Sequence, residues 1–128
     1  MNTFVVDSSA WIEYFSGSES GRMVSEIIDD EKNEILTTVI TIAEISSFFK
    51  KEDKDFEKAY TIILKNSKVI YLNGESAKNL GKLYAEVKSK NKKFSFADSL
   101  VLFVAKKHIA KIVTKDFDFK GYKETVFI

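Results

Sequence analysis

Short apolar runs alternate with longer stretches of helical periodicity along the whole chain of 128 residues. The runs at 4–6, 35–39, 69–72, 112–113 and 126–128 predict strands, the last of them at an edge of the sheet. Strands that alternate with helices form a mostly parallel sheet covered by helices on both faces. Because the length is that of one ordinary domain, we predict a single α/β domain over residues 1–128, built as a three-layer α/β/α sandwich.

The segments between these runs carry apolar residues at the spacing of an α-helix. Ser8 and Ser9 are candidate N-caps of a first helix that continues through Tyr14. Further helices are predicted around residues 23–28, 42–49, 56–63 and 77–87. The segment 96–105 is apolar on nearly every side, which predicts a helix buried against neighbours on more than one face.

The composition excludes several kinds of site. Without cysteine, the chain has no disulfide, thiol nucleophile or cysteine-ligated metal. One histidine cannot provide the histidine cluster of a catalytic zinc site. A formal net charge of +1 excludes a strongly basic, nucleic-acid-coating protein but allows a local basic groove. The longest apolar run, residues 100–105, is too short to span a membrane, and acids interrupt any signal peptide, so we expect a cytoplasmic protein.

Four acidic residues from distant parts of the sequence are predicted to meet at one edge of the sheet. Asp7 and Asp116 each follow a predicted strand, and parallel strands place their carboxyl ends at the same edge. Glu44 lies near the start of the helix after the second strand, and Asp98 lies in the first turn of the buried helix. Ligands of open α/β sheets bind beyond this edge, where the strand order reverses.

Each of these acids also has a purely structural explanation. Asp7 can serve as a helix N-cap, and Asp98 has the spacing of a capping box. Glu44 can be a solvent-facing helix residue, and Asp116 and Asp118 can simply shape a turn. The predicted convergence of four acids on one edge favours a functional cluster.

A cluster of carboxylates without histidine or cysteine indicates the kind of ion that would bind there. Carboxylates held close together raise one another's pKa unless a cation is bound between them. Mg²⁺ and Mn²⁺ prefer oxygen ligands, so the pattern favours one of these ions over zinc. Such an ion orients a phosphate and stabilises the charge of an in-line transition state, which suits phosphodiester hydrolysis.

Four segments of the chain resemble the signature blocks of PIN domains. They are VVDSSAWI at 5–12, TIAEIS at 41–46, FSFADSLVLFVA at 94–105 and IVTKDFDF at 112–119. The resemblance covers essentially the whole chain and is greatest to VapC-type toxins, which are single-domain, magnesium-dependent endoribonucleases of toxin–antitoxin pairs. It implies a PIN-like fold, an RNA substrate, products with 5′-phosphate and 3′-hydroxyl ends, a homodimer, and neutralisation by a small antitoxin.

The resemblance also assigns roles to individual residues. It implies that the metal-binding and catalytic acids are Asp7, Glu44, Asp98 and Asp116. It further implies that Ser8 or Ser9 and Thr114 support these acids through hydroxyl hydrogen bonds. Relatives differ over which acid of the last block is the ligand. We favour Asp116, because it follows Thr114 by two residues, and keep Asp118 as the alternative.

Other residues offer less specific signals. Three lysines are candidates for contact with an RNA backbone, although lysine-rich loops are more often solvated surface. They are Lys92, Lys93 and Lys115. Phe117, Phe119 and Trp11 are candidates for stacking on bases, although aromatic residues near a strand end pack in the core more often.

Three other functions stay open at this point. One is a PIN nuclease of RNA processing or decay without a toxin role. Another is a receiver-like signalling domain, although receivers place two acids together after the first strand, whereas Ser8 and Ser9 follow Asp7 here. The third is a catalytically inactive module that binds RNA or protein. The presence of all four acids favours a nuclease over the last of these.

Overall fold

The computed structural model describes residues 2–128, which form five strands and six α-helices. The strands are β1 (Thr3–Val6), β2 (Glu34–Thr38), β3 (Lys68–Ile70), β4 (Lys111–Thr114) and β5 (Thr125–Phe127). The helices are α1 (Ser8–Ser16), α2 (Glu19–Ile28), α3 (Val39–Lys51), α4 (Glu57–Asn66), α5 (Gly74–Lys90) and α6 (Phe96–His108). A 3₁₀ turn, Phe117–Phe119, lies between β4 and β5.

The five strands form one parallel sheet in the order β3-β2-β1-β4-β5. The chain first builds outward from β1 through β2 to β3, and then crosses to the other side of β1 for β4 and β5. The strand order therefore reverses between β1 and β4, the position at which open α/β sheets bind ligands. The predicted α/β sandwich with a parallel sheet is confirmed.

Alternate residues of β1 enter two separate cores, because successive side chains of a strand point to opposite faces of the sheet. Phe4 and Val6 pack with buried residues of α1, α2, α3 and α4, and this cluster includes Trp11. Val5 packs on the opposite face with buried residues of α5 and α6, in a cluster that includes Phe94. The sheet is thus covered on both faces, and its carboxyl edge is left for the site.

Helix α6 is buried as its apolar sequence predicts, and it contacts strands β1, β2 and β4 as well as helices α3 and α5. Its N-cap is Ser95, whose Oγ accepts a hydrogen bond from the backbone N–H of Asp98 at 3.0 Å. The backbone N–H of Ser95 donates in return to Asp98 Oδ2 at 3.0 Å, which completes a capping box. None of the helices within residues 2–128 has both the length and the apolar character needed to cross a membrane.

The first helix begins differently from the prediction. Its N-cap is Asp7, and Ser8 and Ser9 lie in its first turn, so the prediction of a serine cap was wrong. The helix also continues beyond the predicted end to Ser16. It ends at Gly17, whose φ of 69° lies in the left-handed region that glycine adopts without strain.

The strand boundaries shift by a residue or two. Strand β2 ends at Thr38 rather than at residue 39, because Thr38 Oγ1 accepts a hydrogen bond from the backbone N–H of Thr41 at 3.0 Å and so begins α3. Strands β3 and β5 each begin one residue earlier than predicted. The β-branched residues on both sides of the β2–α3 boundary explain why the sequence alone did not place it.

Candidate active site

Asp7 lies at the carboxyl end of β1, where the strand order reverses, and it is only 5% exposed. Its backbone N–H donates to the Val113 carbonyl at 3.0 Å, and its own carbonyl accepts from the N–H groups of Ala10 and Trp11 at 3.1 Å. Its side chain makes no capping hydrogen bond in α1. The carboxylate accepts a hydrogen bond from the hydroxyl of Thr114 at 2.8 Å, which is a tertiary contact to the end of β4.

Thr114 links the ends of β1 and β4. Its buried hydroxyl donates to Asp7 Oδ2 and accepts from the backbone N–H of Asp116 at 2.9 Å. The Ser9 hydroxyl lies 3.2 Å from Thr114 Oγ1, donates to Asp7 Oδ2 at 3.3 Å, and accepts from the backbone N–H of Lys115 at 3.0 Å. These hydrogen bonds fix the Asp7 carboxylate relative to the backbone that carries Asp116.

Asp98 reaches the same edge from the first turn of α6. The capping box with Ser95 holds its Oδ2, and the side chain is half-buried. Asp98, Asp116 and Asp118 each offer a carboxylate oxygen within 4.8 Å of the other two. The capping role and the cluster are therefore compatible, since the cap fixes the side chain that faces the other two acids.

Both acids of the last block belong to this group. The backbone N–H of Asp118 donates to Asp116 Oδ1 at 2.8 Å, and the resulting 3₁₀ turn folds Asp118 back beside Asp116. Proximity therefore gives Asp118 the same claim to a ligand position as Asp116. In the sequence, only the two-residue spacing between Asp116 and Asp118 indicated that Asp118 could be a ligand. A tight turn can bring residues at this spacing close together.

Glu44 approaches these acids from α3, but neither it nor Asp7 is among the three whose carboxylate oxygens lie within 4.8 Å of one another. It is exposed as a whole residue, but its carboxyl lies close enough to the other acids to interact with the charges of Asp7 and Asp98. Desolvation and the charge of Asp7 raise the pKa of Glu44, while a side-chain hydrogen bond with Ser8 lowers it. Of the two predicted serines, Ser9 thus lies beside Asp7 and Ser8 beside Glu44.

The acids share one electrostatic environment. Burial raises the pKa of Asp7 from 3.8 to about 6, despite hydrogen bonds from Thr114 and a backbone N–H. The charges of Asp98 and Asp116 add to that rise. Burial also raises the pKa of Asp98, although the capping box lowers it, and the nearby Asp116 and Asp118 raise it further.

This concentration of negative charge has no cationic side chain to balance it within residues 2–128. The salt bridges in that range join Lys115 to Glu13 and Lys78 to Glu75, and neither includes an acid of the cluster. A hard divalent cation fits such a group, because its ligands lie about 2.1 Å from Mg²⁺ and carboxylate oxygens within 4.8 Å of one another need only a small movement to share one ion.

The sequence matches the family model of the PIN domain over residues 4–124. The chain belongs to the PIN domain family. The resemblance predicted from the four sequence blocks is therefore confirmed, and a receiver-like domain is excluded. No curated protein sequence gives a significant match to this PIN domain.

Solved structures share the fold of this PIN domain at low sequence identity. A toxin–antitoxin complex from Klebsiella pneumoniae contains a chain that is 22% identical, with a TM-score of 0.73, over 95% of this chain and 94% of that one. VapBC2 from Rickettsia felis, bound to a DNA fragment from its promoter, has 17% identity and a TM-score of 0.73 over 98% and 97%. VapC20 from Mycobacterium tuberculosis, a sarcin–ricin loop cleaving toxin, has 15% identity and a TM-score of 0.73 over 98% and 96%.

The lysines predicted to contact RNA are exposed on the PIN domain. Lys92 and Lys93 lie in the turn between α5 and α6, shortly before the helix that carries Asp98. Lys115 follows β4, and its Nζ lies 2.8 Å from Glu13 Oε1. Partly exposed pairs of this kind contribute about 0–1 kcal/mol, so the ion pair holds Lys115 only weakly. Contact with RNA stays a prediction for all three lysines.

The aromatic residues near the edge separate into core and surface. Trp11 and Phe119 are 0% exposed, and Trp11 Nε1 donates to Thr37 Oγ1 at 3.1 Å. The interpretation of these two as core residues is confirmed, and base stacking by them is excluded. Phe117, in contrast, is 77% exposed.

A groove of about 580 Å³ lies at the opposite edge of the sheet from the acids. It is bounded by the start of β1 at Thr3, by the α6–β4 turn at Ile109 and by Glu124 before β5. Its lining includes none of the clustered acids.

Replacing Thr114 with Val is expected to raise the pKa of Asp7 above its present value of about 6. The variant removes the hydroxyl donor to Asp7 and the acceptor of the Asp116 N–H, which should also destabilise the metal-free domain by about 1–3 kcal/mol. NMR titration of the Asp7 carboxyl and urea unfolding measure the two effects. Thr114→Ser keeps the hydroxyl and is the matched control; an unchanged pKa in Thr114→Val would contradict the role given to this hydrogen bond.

Proposed function

We propose that this PIN domain is a metal-dependent endoribonuclease, and that it is the toxin of a VapBC-like toxin–antitoxin pair. The observation that carries the proposal is the group of three acids from α6 and the turn after β4, whose carboxylate oxygens lie within 4.8 Å of one another. Asp7 and Glu44, from β1 and α3, lie close enough for their charges to interact with acids of the group, and no salt bridge to a cationic side chain balances it within residues 2–128. Such a group is poorly suited to a purely structural role, because mutual repulsion and burial disfavour the charged forms. Membership of the PIN family supports a nuclease.

In this proposal the acids hold one or two Mg²⁺ or Mn²⁺ ions. The ligands are drawn from Asp7, Glu44, Asp98 and Asp116, with Asp118 as a further candidate. When bound, the ion would neutralise the negative charge of the phosphate and lower the pKa of water. The protein's own contribution is orientation: Thr114 and Ser9 fix the Asp7 carboxylate, and Ser95 fixes that of Asp98.

The toxin assignment is supported by the solved structures that share the fold. Several are described as VapBC or toxin–antitoxin complexes, and at 22% identity or less they support the fold and suggest the assembly. We therefore propose a homodimer as the assembly and a small cognate antitoxin as the partner. The alternative function within the family is that of a nuclease of RNA processing or decay without a toxin role. Growth arrest on expression, relieved by a small neighbouring open reading frame, distinguishes the toxin from that nuclease.

A cleavage assay with the purified protein tests the enzymatic part. We expect single-stranded RNA to be cut in Mg²⁺ or Mn²⁺, with 5′-phosphate and 3′-hydroxyl ends, and duplex DNA to stay intact. The ends are read by ligation and by kinase labelling of the products. Binding of RNA without any cleavage in either metal would contradict the proposal and favour a non-catalytic binding module.

A further inference from the structure

Phe117 is an aromatic side chain left largely in water between two acids of the cluster. It is 77% exposed, and the adjacent Asp116 and Asp118 both offer carboxylate oxygens within 4.8 Å of one on Asp98. Two residues later in the chain, Phe119 is fully buried. The turn thus has one aromatic residue in the core and one in solvent at the candidate site.

The exposed ring is also held in place. The hydrogen bond from the Asp118 N–H to Asp116 Oδ1 closes the turn, and Phe119 anchors it in the core. The ring of Phe117 lies beside that of Phe127 on β5, with centroids 5.7 Å apart and planes at 32°. Its backbone and one neighbour therefore restrain the ring while most of its surface faces water.

We propose that Phe117 stacks on an unpaired nucleobase of the RNA whose phosphate lies at the acid cluster; this proposal rests on the nuclease function given above. A base is separated from its own phosphate by a single sugar, so it lies close to any group that adjoins the phosphate site. Aromatic side chains stack on bases of any sequence. A base in duplex RNA is already paired and stacked, so the contact selects single-stranded segments. Phe117 is in this sense a positioning residue.

The acids on either side favour RNA over an apolar protein surface as the partner of Phe117. A protein contact that covered the ring would also cover Asp116 and Asp118, and burying carboxylates without partners is costly. A nucleotide brings its phosphate to the cation that the acids hold, and its base has a flat apolar face with a polar edge. A nucleotide can therefore interact with the ring of Phe117 through its base and with the neighbouring acids through the cation.

The fluorescence of a Phe117→Trp variant tests the contact without requiring cleavage. The chain's single tryptophan, Trp11, is fully buried and so gives a constant background. We expect a short single-stranded RNA to quench the new tryptophan in Ca²⁺, which takes the same kind of oxygen ligands as Mg²⁺. The same RNA annealed to its complement should quench it much less. Equal quenching by both would overturn the proposal.

Steady-state cleavage separates stacking from a general effect of the mutation. Phe117→Ala and Phe117→Leu should each raise KM about tenfold with little change in kcat, because stacking on one base contributes roughly that factor. Phe117→Tyr and Phe117→Trp should restore KM. Ile109→Ala is the matched control, because Ile109 is 92% exposed but lies at the α6–β4 turn, at the other edge of the sheet.

Different failures have different meanings here. If Phe117→Leu keeps the normal KM, the stacking proposal is wrong. If Phe117→Ala changes the oligomeric state while RNA binding is unchanged, the stacking proposal is also wrong and the ring contacts protein. If the native protein binds RNA and Phe117→Trp is quenched by it, but no RNA is cleaved in Mg²⁺ or Mn²⁺, the nuclease function fails while the base contact stands.

Discussion

Replacing Asp7 with Asn is expected to abolish RNA cleavage and, in the metal-free protein, to increase the stability of the fold. The loss of activity should be at least a hundredfold, about 3 kcal/mol or more of transition-state stabilisation, because a metal ligand at the reaction centre is removed. The gain in stability has a separate cause. Asp7 is 5% exposed and lies among other acids, so its ionised form opposes folding.

The pH dependence gives the sign of the stability effect. The folded-state pKa of Asp7 is raised from 3.8 to about 6, so the folded protein binds the proton more tightly than the unfolded chain does. The stability from this group is fully present below about pH 4 and is lost as the pH rises through about 6. The rise corresponds to about 3 kcal/mol, of which altered hydrogen bonding to Thr114 cancels part, so we expect a net gain of about 1–2 kcal/mol for Asp7→Asn near pH 7.

Urea unfolding in chelator across this pH range measures the effect. The native protein should lose stability between about pH 4 and 7, and Asp7→Asn should lose less. Some pH dependence will remain in the variant, because the pKa values of Asp98 and Glu44 are also raised. Glu31→Gln, at an exposed acid in the turn before β2, controls for the loss of one negative charge. A less stable Asp7→Asn protein near pH 7 would contradict the unfavourable burial of the Asp7 charge.

Much of this arrangement could be predicted from the sequence, since it depends on the order of elements rather than on their exact ends. Alternating strands and helices predict a parallel sheet, and a parallel sheet brings the acids after β1 and β4 to one edge. The order of the elements alone therefore predicts that Asp7 and Asp116 lie near each other. The end of β2 was less predictable, because Thr38 suits both a strand and a helix N-cap.

The features of the site that the sequence does not predict depend on side-chain packing. Whether Asp118 turns back toward Asp116 depends on a hydrogen bond within a three-residue turn. Whether Phe117 or Phe119 is buried depends on which of them the turn directs into the core, and both are equally apolar in the sequence. Ser8 and Ser9 are adjacent in the first turn of α1, so the sequence does not show which serine interacts with which acid. In the structure Ser9 hydrogen-bonds to Asp7, and Ser8 interacts with Glu44.

Removal of divalent metal is expected to eliminate cleavage, and its return is expected to raise the stability of the folded protein. A ligand that binds only the folded state at a hundred times its Kd adds about 2.7 kcal/mol. For a domain of this size that corresponds to a rise in Tm of about 10 °C. Thermal unfolding in chelator, Mg²⁺ and Mn²⁺ near pH 7 measures the rise, and the same samples report whether cleavage returns.

The metal effect on Tm should also depend on pH and on which acids are ligands. Below pH 6 protonation of Asp7 removes a negative ligand, so the rise in Tm should shrink at about pH 5. Asp116→Asn and Asp118→Asn form a matched pair, because both acids offer a carboxylate oxygen within 4.8 Å of one on Asp98. Only the variant that loses a metal ligand should lose the metal-dependent rise in Tm. If Mg²⁺ and Mn²⁺ leave the Tm of the native protein unchanged, and neither supports cleavage, the acids are not a metal site.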